Sequence, residues 1–125
     1  MENYHASHAP NPDEWLEFDE STRIELVKEY HNLAGVEFQE GALELHAMIH
    51  VVVENQIAMG ADLVPETIAK LMRQGLSRHD AIHAVGAILA DDIYEIITNN
   101  QEFNKSRYRK RLDKLTAKRW KKGKF

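Results

Sequence analysis

At 125 residues, with 43% hydrophobic and 29% charged side chains, the chain carries enough apolar material for one packed core and too little for a second. No uncharged stretch exceeds ten residues, and the one from Leu45 to Val53 holds two histidines and stops at Glu54, which excludes a membrane-spanning helix. Cysteine is absent, which excludes disulfides and thiolate metal sites. The N-terminus shows no basic region followed by an apolar run, so a cytoplasmic location is expected. The formal net charge of −4 conceals an asymmetry: residues 1–104 carry 19 acidic against 5 basic side chains, whereas residues 105–125 carry 11 basic ones against a single acid, Asp113. The expectation is an acidic body with a basic tail.

In chain order, residues 1–10 are polar and aperiodic and are expected to form a flexible N-terminus. Asn11-Pro12-Asp13-Glu14 reads as a helix start, with Asn11 as cap, Pro12 at the first helical position and Glu14 closing a capping box. Helical spacing of Leu16, Ile24, Val27 and Tyr30 continues to about Leu33, with a break signal at Asp19 to Ser21 and a terminator at Gly35. A second helix, roughly Val36 to Met59 and ending at Gly60, is apolar around most of its circumference and is expected to lie centrally, with Glu37, Glu40, Glu44 and Asn55 marking its solvent side. Pro65 opens a short helix through Gln74. Ser77 with Asp80 caps a long one from Arg78 to Thr98, along which Ile82, Val85, Leu89, Ile93 and Ile96 recur at helical spacing. Asn99-Asn100 is a break, and the final segment predicts a basic helix with Tyr108, Leu112 and Leu115 on one side. No strand-like alternation appears. The expected fold is all-α, a compact bundle of about four to five helices over residues 11–98, with a basic C-terminal tail or helix over 99–125.

The chemistry-bearing residues are histidines. His46 and His50 are four apart, with Glu54 four further on; His79 and His83 are also four apart. Four residues is one helical turn plus about 40°, so each pair projects from one face. Two facing pairs can converge on one ion, zinc or iron by the preference of imidazole, with Glu54 as ligand or as orienter of a ligand. Three histidines with an open position would activate water, with Glu54 as base, so a metal-dependent hydrolase is the enzyme class compatible with these residues. The competing reading is a hydrogen-bonded core seam, in which the histidines pair with Glu54, Asp92, Tyr94 or backbone. Gly86 and Ala90, beside His83 on the helical wheel, permit close helix approach or leave a cavity. No nucleophile triad, phosphate-binding glycine loop or dinucleotide fingerprint is present.

The blocks His46-x-x-x-His50-x-x-x-Glu54-Asn55-Gln56 and Arg78-His79-Asp-Ala-Ile-His83-Ala-Val-Gly86 resemble a family of small bacterial helical proteins known only as a domain of unknown function. The resemblance covers roughly residues 40–98. It implies a helical fold in which the paired histidines are a shared pattern, and it carries no activity. His50-x-x-x-Glu54 followed by His79-x-x-x-His83 is also similar to the middle of the ligand pattern of hemerythrin-type di-iron bundles, with His31 in the place of the first-helix ligand. That pattern needs a further histidine and a carboxylate on the last helix, and no histidine follows His83.

The basic segment holds Arg107, Arg109, Lys110, Arg111, Lys114, Lys118, Arg119, Lys121, Lys122 and Lys124, interleaved with Tyr108, Trp120 and Phe125. It suits RNA, through phosphate contacts and base stacking, or an acidic protein partner; alternatively it folds over the protein's own acidic body. The expectation is therefore a divalent-metal-binding helical protein, with a non-catalytic interaction module acting through the tail as the alternative. Homodimerisation would cover apolar faces that so small a core leaves open.

Overall fold

The structure is a computed structural model describing residues 1, 3–35 and 41–124, and among them every regular element is a helix. The local signals explain where each begins. The Asn11 side chain accepts from the Glu14 amide and starts α1 (Pro12–Glu17). Asp19 accepts from the Thr22 amide and starts α2 (Glu20–Leu33), so the predicted break is a cap that divides one pattern into two helices. Gly41, in the left-handed region at φ 81°, precedes α3 (Ala42–Ala58). The predicted portion Val36 to Glu40, including Glu37 and Glu40, lies outside the described residues. Pro65 stands in the first turn of α4 (Val64–Arg73), and Ser77 caps α5 (Arg78–Asn99). Asn104 caps α6 (Lys105–Lys114), and Thr116 caps α7 (Ala117–Lys121). Among the described residues seven helices therefore stand where four to five were expected. The surplus comes from the Asp19 and Thr116 caps, each of which restarts the backbone.

Helix α3 is central, packing against α1, α2, α4 and α5. It divides two apolar clusters. On one side Val53 joins Ile68, Leu71, Ile82, Val85, Ile88, Leu112 and Leu115, drawn from α4, α5 and the C-terminal segment. On the other, Ala47 and Val51 pack with Trp15, Val27, Tyr4 and Ala6. Two expectations are corrected here. Residues 1–10 contribute Tyr4 and Ala6 to the core, because the tyrosine has buried polar partners to reach. The basic segment is part of the bundle: its Tyr108–Leu112–Leu115 side, at the predicted spacing, completes the larger apolar cluster.

One turn of α3 fastens these parts together. Successive helical residues diverge by about 100°, so Glu54, Asn55 and Gln56 point to three different neighbours. Glu54 meets Tyr4 and Arg78, Asn55 accepts from Trp15 Nε1 (2.9 Å) and Arg23 Nη1 (3.1 Å), and Gln56 accepts from Tyr108 Oη (2.8 Å). Asn55 thus faces α1 and α2 rather than solvent.

Candidate metal centre

Helices α3 and α5 approach closely at Gly86. A Cβ there would stand 2.9 Å from Ile49 Cγ2, so a larger residue would force the two helices apart. That approach brings the two histidine pairs face to face, with ring centroids 4.8 Å apart for His46–His83 and 5.1 Å for His50–His79. His31, from the last turn of α2, completes the group at 4.7 Å from the His46 ring and 5.3 Å from His79. His31, His46, His50, His79 and His83 each offer one ring nitrogen, and these nitrogens all lie within 4.8 Å of one another. The sequence brings four of them together through their spacing. The fifth enters the sequence reading only through the hemerythrin-type resemblance.

Hydrogen bonds fix which nitrogen faces inward. His31 Nδ1 lies 2.8 Å from the Val27 carbonyl oxygen, which only accepts, so Nδ1 carries the proton and the Nε2 lone pair points to the cluster. Tyr4 Oη donates to Glu54 Oε2 (2.5 Å) and therefore accepts from His50 Nδ1 (3.1 Å), which leaves the His50 Nε2 lone pair inward in the same way. Nε2 of His46 lies 3.1 Å from Nε2 of His31. Burial then disfavours the charged form of the four rings on α3 and α5. It pushes His46 down to about 4 and His83 to about 3, and lowers His50 and His79 as well, with neighbouring imidazoles adding to the effect.

Glu54 does not join the nitrogens. Its carboxylate receives Arg78 Nη2 on Oε1 (2.7 Å) and Arg78 Nη1 on Oε2 (2.8 Å), while Arg78 Nη1 also donates to the Ala6 carbonyl (3.0 Å). The partner that a buried carboxylate requires is therefore an arginine rather than a histidine, and the ligand and base roles expected for Glu54 give way to a supporting one through Tyr4. Arg78 had a sequence signal. Residues 1–104 contain only five basic side chains, and this one immediately precedes His79. Asp92 and Tyr94 do not serve the histidines either: Asp92 faces Arg111 (3.3 Å), and Tyr94 is exposed.

Four buried side-chain polar atoms lack a hydrogen-bond partner among the described residues, and three of them are His50 Nε2, His79 Nε2 and His83 Nε2. A buried unmatched polar atom costs about 1–3 kcal/mol, so a seam built for hydrogen bonding would not leave three ring nitrogens of one cluster unmatched. Two ligands of a single ion at Zn–N lengths lie at most about 4.2 Å apart, so a spread of 4.8 Å needs only a small inward movement of the rings.

The basic segment folds over the protein's own acidic body, the alternative the charge split offered. Arg111 pairs with Asp91 (3.0 Å) and Asp92, and Arg109 pairs with Asp62, tying the segment to acidic residues of the body. Tyr108 is buried and half-buried Trp120 packs on the same cluster, so Tyr108 is not displayed for base stacking; Phe125 lies outside the described residues. Lys110, Lys114, Lys118, Arg119, Lys121 and Lys122 are exposed. Among the described residues no helix is long and apolar enough to cross a membrane. Comparison of the chain with protein-family models, curated proteins and solved structures finds no match in any of the three.

Proposed function

We propose that this protein binds one divalent transition-metal ion, of the zinc or iron class, through His31, His46, His50, His79 and His83. The observation that carries the reading is the convergence of five ring nitrogens within 4.8 Å, three of them buried without a hydrogen-bond partner among the described residues. An all-imidazole set suits zinc, iron, cobalt, nickel or copper and disfavours magnesium or calcium, which take oxygen ligands. Five donors leave one position of an octahedral ion free, or supply a tetrahedral ion with one histidine in reserve. Tyr4, held by Glu54 and Arg78, orients His50, and the Val27 carbonyl orients His31. His46 and His83 are neutral well below pH 7, so these two ligands are prepared for a cation without first releasing protons.

Elemental analysis of tag-free protein, as purified and after reconstitution with zinc or with iron(II) under anaerobic conditions, tests the reading. Near-stoichiometric metal in the wild type, lost in a His50→Ala, His83→Ala double variant, is the expected result. Absence of metal from the wild type under all these conditions, with a melting temperature indifferent to chelator, would overturn it.

A further inference from the structure

A cavity of about 400 Å³ opens between α3 and α5 directly beside the histidine cluster. Its size lies at the lower end of small-molecule sites, which run from about 300 to 1,000 Å³. His46, His50 and His83 contribute to its lining, and the rest of its wall is aliphatic, with Leu45, Ile49 and Ile82 as the larger side chains and Ala90 exposed to solvent. The small residues of α5 leave the space: Gly86 sets the close approach of the helices, and the alanines that follow it fill little of the gap.

Charge identifies what would enter. Every donor in the cluster is an imidazole, which brings no negative charge; Glu54, buried beside it, is neutralised by Arg78 at 2.7 and 2.8 Å, and Asp80, whose charge also acts on His79, is only part-buried. A divalent ion on these ligands would keep its full positive charge in a largely buried site, where an uncompensated charge is strongly disfavoured. An anion arriving from outside would supply the compensation, and the cavity is the route by which it reaches the histidines. The aliphatic wall offers such an anion no further polar partner, so its remainder must be hydrocarbon.

We infer that the cavity binds a small aliphatic monocarboxylate, its carboxylate on the metal ion held by the histidines and its alkyl chain between α3 and α5. This rests on the metal reading above and names the ligand class of the same site. The chain length is set by the aliphatic wall: each fully buried methylene raises affinity by up to about fourfold, so affinity rises along the series until the cavity is full.

The test uses the full-length protein loaded with cobalt(II), whose visible absorption reports changes in the ligands around the ion. Acetate, butyrate, hexanoate and octanoate are titrated at pH 7, with octan-1-ol as a chain lacking the charge. The expected result is a spectral change with every carboxylate, octanoate binding at least about tenfold more tightly than acetate, and no change with the alcohol. In Ala90→Phe, an exposed position whose new ring would occupy the cavity, cobalt uptake and acetate binding are expected to stay as in the wild type while octanoate falls to the level of acetate. Cobalt bound at the histidines but a spectrum unmoved by any carboxylate, affinity independent of chain length, or octanoate binding undiminished in Ala90→Phe would each overturn this inference and leave the metal reading standing. Failure to bind cobalt would overturn both.

Discussion

The two sides of α3 are built on opposite principles. Toward α4, α6 and α7, Ile68, Leu71, Ile88, Leu112 and Leu115 exclude water with little polar content, and the few buried hydroxyls there are matched: Thr67 Oγ1 donates to the Leu63 carbonyl at 2.6 Å and Tyr108 Oη to Gln56 at 2.8 Å. Toward α2 and the N-terminal residues, the same helix buries His50 and Glu54 and turns imidazoles on one another with three ring nitrogens unmatched. Apolar side chains in those five positions would fold at least as well, since a large methyl-rich neighbour is already present. The histidine side therefore accepts a larger cost in stability than the other side, where Asp92 Oδ2 is the unmatched buried atom among the described residues, and the proposed ligand would account for that difference.

The contrast can be broken or sharpened by substitution. The largest effect is expected from Arg78→Ala, which strands the Glu54 carboxylate in the interior; a loss of about 3–5 kcal/mol in urea unfolding at pH 7 is expected, and a loss below about 1 kcal/mol would mean that the carboxylate finds another partner. Leu112→Ala, on the apolar side, should lose about 2–5 kcal/mol of stability and leave the metal content unchanged. Unfolding and elemental analysis of the same preparation separate the two sides directly. Tyr4→Phe removes only the hydroxyl that orients His50, and metal affinity in competition with a chelator should fall about 10–100-fold while the helical circular dichroism is retained.

A smaller effect, opposite in sign, is expected from His83→Leu. Replacing an unmatched nitrogen by hydrocarbon should raise the stability of the metal-free protein by about 1 kcal/mol and weaken metal binding, whereas a destabilised variant would show that the histidine is matched after all. The smallest effect is in pH dependence. The folded-state values of His46 and His83, about 4 and about 3, lie below the ordinary value near 6.5 that they regain on unfolding. Between these values the unfolded chain binds more protons, so the contribution of these histidines is fully present above about pH 6.5 and is lost as the pH falls through 4 toward 3. Stability of the metal-free wild type should thus fall more steeply below pH 6.5 than that of a His46→Gln, His83→Gln variant.

Much of this was legible in the sequence because it is local. The caps at Asn11 and Ser77, the terminations near Gly35 and Gly60, the two histidine pairs and the apolar side of the last segment all rest on residues within one or two turns of each other. What escaped is long-range. Arg78 is 24 residues from Glu54 and Tyr4 is 50 residues from it, and neither pairing has a periodicity to announce it. The inward position of Glu54 was readable from the helical wheel, but its partner was not, because a histidine four residues away competes in sequence with an arginine that only tertiary packing brings near. His31 was reachable only through a resemblance for the same reason: it has no paired histidine on α2, and only the packing of α2 on α3 brings it to the cluster.

The position of Tyr4 has a consequence for the first ten residues. Its hydroxyl bridges His50 and Glu54, so that short segment cannot leave the bundle without removing the oxygen that accepts from His50 Nδ1 and holds its Nε2 lone pair inward. Docking of the N-terminus and occupancy of the histidines are then linked equilibria, each raising the other by the same factor. Amide protons of residues 3–8, far from any helix ladder, become a gauge of the ion: their exchange should slow when the site fills and quicken when a chelator empties it.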